Sequence, residues 1–174
     1  MRKADVRFYF DADILGLAHI ICAQRADSTY PGDPGAIIKG RERSPCVIET
    51  PRAKDGIWIP TVAEQGWVAI TRDSDIQTHV SLMQAVKDRN LRMVTLTGPD
   101  CRYPWGQLEI TMTQWRKIEA VCDRVGPALF SATRTSFTEI DIDKRLAEIR
   151  AGRAAAAQQR ATKRAGKASQ SPLF

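Results

Sequence analysis

Histidine is nearly missing from this chain: two of 174 residues, His19 and His79, far apart in sequence. That scarcity argues against a histidine-based catalytic pair. Cysteine is sparse as well. The four thiols, at positions 22, 46, 101 and 122, show neither the close pairing of a zinc site nor the density of a disulfide scaffold. No apolar run approaches the ~18 residues that a membrane span needs. The longest candidate, 8–23, is interrupted by Asp11 and Asp13, which also disqualifies it as a secretory leader. These absences lead to the expectation of a cytoplasmic protein with reduced thiols and no membrane partner.

What is present fits an ordinary globular domain: 43% hydrophobic and 26% charged residues. The net charge of +6 is unevenly spread. From Lys144 onward, eight basic residues face one acid, Glu148, whereas 1–143 holds 18 basic and 19 acidic residues. The body is therefore close to neutral and the basicity lies in the tail, which excludes a uniformly basic, histone-like protein.

Along the body, strand and helix signals alternate. Residues 6–10 form an apolar, aromatic-rich run suited to a buried strand, and 14–25 are apolar on nearly every side, suiting a buried helix. Residues 26–45 carry Pro31, Gly32, Asp33, Pro34, Gly35, Gly40 and Pro45 and read as one long loop, followed by a short strand at 46–49. A helix is expected at 57–65, starting nearer Ile59 because Pro60 fits best in a first turn. Next come a strand at 67–71, a helix over 76–89 closed by Asn90, and a strand at 91–96. Thr113 is expected to cap a helix carrying Ile118, Val121, Cys122 and Val125 on one face. Two extended segments follow over 128–142. The alternation implies crossover connections and an α/β three-layer sandwich with a mainly parallel central sheet over 1–143. The tail, 144–174, reads as a basic, alanine-rich helix fading into coil at 169–172.

Four carboxylates sit where such a sheet puts its chemistry. Asp11 and Asp13 follow the first strand, and Asp73 and Asp75 follow the strand at 67–71; ligands of open parallel sheets bind outside the carboxyl ends of strands. Asp55, ahead of a helix, is placed to join them. Taken singly, Asp13, Asp55 and Asp75 are equally placed to cap the helix that follows each. Asp11 and Asp73 are different, because a charge directly after a buried strand needs a reason. Clustered carboxylates without histidine or thiolate suit Mg²⁺ or Mn²⁺, and the chemistry they support is hydrolysis or transfer at phosphate.

The stretches Phe8-Tyr9-Phe10-Asp11 and Asp55…Ala63-Glu64-Gln65-Gly66-Trp67-Val68-Ala69-Ile70-Thr71-Arg72-Asp73-Ser74-Asp75 resemble the PIN-domain ribonucleases, and more narrowly the PIN-like branch that includes VapC-type toxins. Trp115 and Gly126-Pro127 leading into Thr133-Arg134 extend the likeness over about 6–140. The resemblance implies that Asp11, Asp55 and Asp73 are metal-binding acids, with Asp75 a fourth and Thr71 a hydroxyl steadying a carboxylate. It further implies Mg²⁺-dependent hydrolysis of RNA, a homodimer, and the toxin half of a toxin–antitoxin pair. The glutamate that many PIN domains carry between their first and third acids has no clear counterpart here. Asp13 is its candidate substitute, and which of Asp13 and Asp75 completes the metal shell stays open.

Two other readings use the same residues. Phe8 to Asp13 also resembles the first motif of haloacid-dehalogenase-type phosphatases, with Thr97 as a stand-in for the second motif, although the acidic pair then comes in the wrong order. The third reading is a non-catalytic PIN-like module that binds RNA or a partner. The tail suits either RNA phosphates or an acidic antitoxin. Among the tryptophans, Trp105 is the expected surface aromatic, with Arg102 and Tyr103 beside it; Asp33 and Asp100 are expected to be solvated loop acids.

Overall fold

The computed structural model describes residues 2–73 and 77–168. A small sheet joins β1 (Arg2–Lys3), β4 (Ala36–Ile38) and β5 (Arg41–Arg43). The main sheet has six strands in the order β3-β2-β6-β7-β8-β9. These are β2 (Phe8–Phe10), β3 (Ser28–Thr29), β6 (Val68–Thr71), β7 (Arg92–Leu96), β8 (Ala128–Ala132) and β9 (Phe137–Ile140). Every pairing in it is parallel except β8 with β9. Helices cover both faces, so the fold is a three-layer α/β sandwich with a mostly parallel sheet and a C-terminal helix.

Alternation of side chains across the sheet makes two cores. Phe8, Phe10, Val68, Ile70, Val94, Leu96 and Phe130 pack against α1 (Leu15–Gln24) and α4 (Pro104–Ala120). Tyr9, Ala69, Met93 and Leu129 face the other way, against α2 (Asp55–Glu64), α3 (Val80–Asp88) and the start of α5 (Ile142–Ala168). In that second core Tyr9 stacks between Trp58 and Trp67, with ring centroids 5.6 and 6.4 Å away.

Several elements differ from the sequence expectation. The stretch 26–45 is not one loop: it contains β3 and the β4–β5 hairpin, whose two turn residues, Lys39 and Gly40, both have positive φ (49° and 76°), as hairpin turns of this length require. Nor is Asp33 solvated. It is buried, 3% exposed, with Arg43 Nε 2.8 Å from its Oδ2. Arg43 also donates to the carbonyls of Cys22 and Arg25, so the buried guanidinium is well supplied with partners. Residues 46–49 form no strand. Helix α2 begins at Asp55, placing Pro60 inside it; the carbonyl that Pro60 leaves unbonded belongs to Gly56, around which an added Cβ would find open space.

Helix α4 starts at Pro104, nine residues before Thr113, which lies in its interior. The helix ends at Ala120, a 3₁₀ turn follows over Val121–Asp123, and Val125 is fully exposed rather than part of an apolar face. Helix α3 starts at Val80, and Asn90 follows it in the left-handed region at φ 55°. The first turns of α5 bury Ile142 and Leu146 against the body, with Lys87 Nζ 2.6 Å from Asp143 and Arg150 donating to Gln84. From 151 to 160 every residue is exposed. The coil expected at 169–172 lies outside the described residues.

Candidate active site

The strand order reverses direction at β2. From β2 the chain runs through α1 to β3 on one side, then returns through α2 to β6 on the other. A crevice opens at the carboxyl ends flanking such a switch. Here it is a cleft of about 440 Å³ lined by Asp11, Ala12, Asp13, Ala53, Asp55, Trp58, Arg72 and Asp73.

Asp11 leaves β2 still in sheet register, its N–H donating to the Ile70 carbonyl at 2.9 Å, and only 7% of it is exposed. Its Oδ1 accepts from the Ala12 N–H at 2.6 Å, capping the 3₁₀ turn Ala12–Ile14. Its Oδ2 accepts from Thr71 Oγ1 at 3.0 Å. Thr71 ends β6, fully buried, and its oxygen in turn accepts the Asp73 N–H at 3.0 Å. One hydroxyl thus ties the acid after β2 to the chain carrying the acid after β6.

Asp13 does not cap α1. Its Oδ2 accepts the Arg72 N–H at 3.1 Å, and the Arg72 Nε stands 3.9 Å away. Asp55, the first residue of α2, also caps nothing with its side chain; its Oδ1 accepts from the buried Trp58 indole N–H one turn on, at 3.0 Å. Asp13, Asp55 and Asp73 thus share the cleft with Asp11, while Asp75 lies outside the described residues. The lining also brings in two hydrogen-bonding side chains to which the sequence assigns no site role, Trp58 and Arg72. Trp58 stands three positions after Asp55, the spacing at which helix neighbours meet. Arg72 was visible within the Thr-Arg-Asp run, but its backbone contact with Asp13, 59 residues away, leaves no local trace.

The electrostatics follow from this crowding. Burial and the neighbouring Asp13 charge push the Asp11 carboxyl up to about 6, with Asp55 adding to the push; the Ala12 and Thr71 hydrogen bonds oppose it. Burial also raises Asp13, against the backbone N–H and charge of Arg72. An acid cluster of this kind is short of positive charge. Its donors are all carboxylate oxygens, which fits a hard divalent cation that takes one or two carboxylates and keeps several waters. Among the described residues, no group of three or more histidine, cysteine, aspartate or glutamate side chains is placed to hold a single ion. Thr97, the second-motif residue of the phosphatase reading, does not line this cleft; it lines a neighbouring one, where it bonds to Ser131.

Among the described residues, no helix is long and apolar enough to cross a membrane. No curated protein and no solved structure matches the chain. A family model described as a PIN-like domain matches residues 36–98, from the β4 hairpin through β7, and so takes in Asp55, Thr71, Arg72 and Asp73. That match supports a PIN-like domain, a nuclease-type fold.

Proposed function

We propose that the acidic cleft hydrolyses RNA phosphodiester bonds with the help of Mg²⁺ or Mn²⁺. The observation that carries this reading is the gathering of Asp11, Asp13, Asp55 and Asp73 on one cleft at the strand-order switch. When bound, the divalent ion supplies an acidified water and neutralises phosphate charge. The protein holds the acids in place from three directions. Thr71 fixes Asp11, the Arg72 N–H fixes Asp13, and the Trp58 indole fixes Asp55. Arg72 adds a positive charge at the same cleft, suited to a phosphate oxygen.

The resemblance to VapC-type toxins extends the proposal to the toxin of a toxin–antitoxin pair acting in the cytoplasm as a homodimer, with an acidic antitoxin segment as partner for the basic part of α5. A second reading, a non-catalytic RNA- or partner-binding module, is favoured by one observation: no three described side chains are placed to hold one ion.

Cleavage of a mixed RNA pool in Mg²⁺ separates the two. Asp11→Asn and Asp73→Asn are each expected to lower cleavage by at least about a hundredfold while leaving the thermal melt cooperative. Cleavage that persists unchanged in both variants would contradict the catalytic reading.

A further inference from the structure

Beside the acidic cleft lies a second, less polar one. Its lining includes Leu96, Thr97, Pro99 and Arg102, and it shares Arg72 with the first cleft. Arg72 also donates to the Arg102 carbonyl at 3.3 Å, so one guanidinium bridges the two sites. The chain leaving this cleft exposes two large aromatics in succession, Tyr103 at 67% and Trp105 at 72% exposed. Isolated exposed aromatics are commonplace, but these two stand on a firmly built support.

The support is visible in the backbone. An added Cβ on Gly106 would come within 1.7 Å of the Asp100 carbonyl oxygen, so only glycine permits the 3₁₀ turn Pro99–Arg102 to fold onto the start of α4. The buried Gln107 then donates to the Cys101 carbonyl at 2.9 Å. Pro104 packs against Gly16 of α1, an added Cβ there falling 3.2 Å from the proline ring; that is three residues from Asp13. The aromatics are therefore presented on a fixed platform joined to the elements that carry the acids.

Rigid exposed rings next to arginines are the features with which proteins hold unpaired bases, the rings stacking and the guanidinium groups meeting phosphate. The local acids leave positive charge available at this cleft. Arg72 shares its charge with Asp13, which stands 3.9 Å from its Nε, while Asp100 and Glu109 both lie near the further guanidinium of Arg134. We infer that the Tyr103–Trp105 platform and the Arg72–Arg102 cleft form a holding site for single-stranded RNA, which seats the bases beside the acidic cleft. The inference deepens the proposed function and rests on it for the choice of RNA, but binding here needs no divalent metal.

The test is fluorescence anisotropy of a labelled oligouridylate in EDTA, where cleavage cannot occur, run beside a Mg²⁺ cleavage assay on the same proteins. Trp105→Ala and Arg102→Ala should each weaken binding by roughly tenfold or more, and Trp105→Phe, which keeps a stacking ring, should largely restore it. A duplex of equal length should bind more weakly than the single strand. Unchanged affinity in Trp105→Ala, or equal affinity for duplex, overturns the inference and leaves the aromatics to a protein contact, whatever the cleavage assay shows. Binding that depends on Trp105 in a protein without Mg²⁺-dependent cleavage would uphold the holding site and sink the nuclease reading.

Discussion

Thr71 Oγ1 lies 3.0 Å from Asp11 Oδ2, joining two residues 60 positions apart at the ends of adjacent parallel strands. Because the same oxygen accepts the Asp73 N–H, it positions the acids of both strands at once. Thr71→Val keeps the shape but removes the hydroxyl that Asp11 Oδ2 and the Asp73 N–H share. The expected cost is about 1 to 3 kcal/mol of stability, together with a fall in RNA cleavage larger than that of Thr71→Ser, which keeps the hydroxyl. Chemical denaturation and cleavage assays on the two variants check this.

Asp11 is held where its charge is costly. Its carboxyl is raised to about 6 in the fold, against an ordinary value of 3.8. The folded state thus keeps a proton that the unfolded chain gives up. The associated stability is fully present below about pH 4 and lost as pH rises through about 6. In EDTA near pH 7, Asp11→Asn should therefore be more stable than wild type, by about 1 to 3 kcal/mol. The difference should close by about pH 4. Thermal melts across this pH range measure it; a variant equally stable at both ends would show that Asp11 is not strained.

The buried Asp33–Arg43 pair closes the base of the β4–β5 hairpin, and Arg43 ties it to the body through the Cys22 and Arg25 carbonyls. Removing one partner leaves the other charge buried without its counter-ion, so Asp33→Ala should destabilise by about 3 to 5 kcal/mol. Replacing both residues with apolar ones of similar size should cost far less. Equilibrium unfolding of the single and double variants distinguishes the outcomes.

These three sites show which parts of the fold the sequence exposes. Aspartates set directly after apolar runs stand out, so the acids following β2 and β6 are legible as a class. Of their fixing partners, Thr71 is legible through the family resemblance and Trp58 only through its helix spacing from Asp55, whereas the Arg72 N–H reaches Asp13 through strand register that no local pattern announces. The β4–β5 hairpin hides behind the glycine- and proline-rich stretch 31–45, and its Lys39-Gly40 turn lacks the usual asparagine or aspartate. The start of α4 hides for a similar reason. Pro104 is a sound first helical residue, but Gly106 two places later reads as a break until its close approach to Asp100 is seen. Thr113, polar and well placed on paper, draws attention away from the true start.

As proposed, the acidic cleft opens an RNA phosphodiester with a metal-assisted water. Mass spectrometry of the product ends, after Mg²⁺-supported digestion of RNA in heavy-oxygen water, tests it most directly when wild type and Asp11→Asn are run together. Linear phosphate ends carrying one solvent-derived oxygen are expected from the wild type, and no such products above background from the variant or in EDTA. Cyclic 2′,3′-phosphate ends, or the same products from Asp11→Asn, would contradict it.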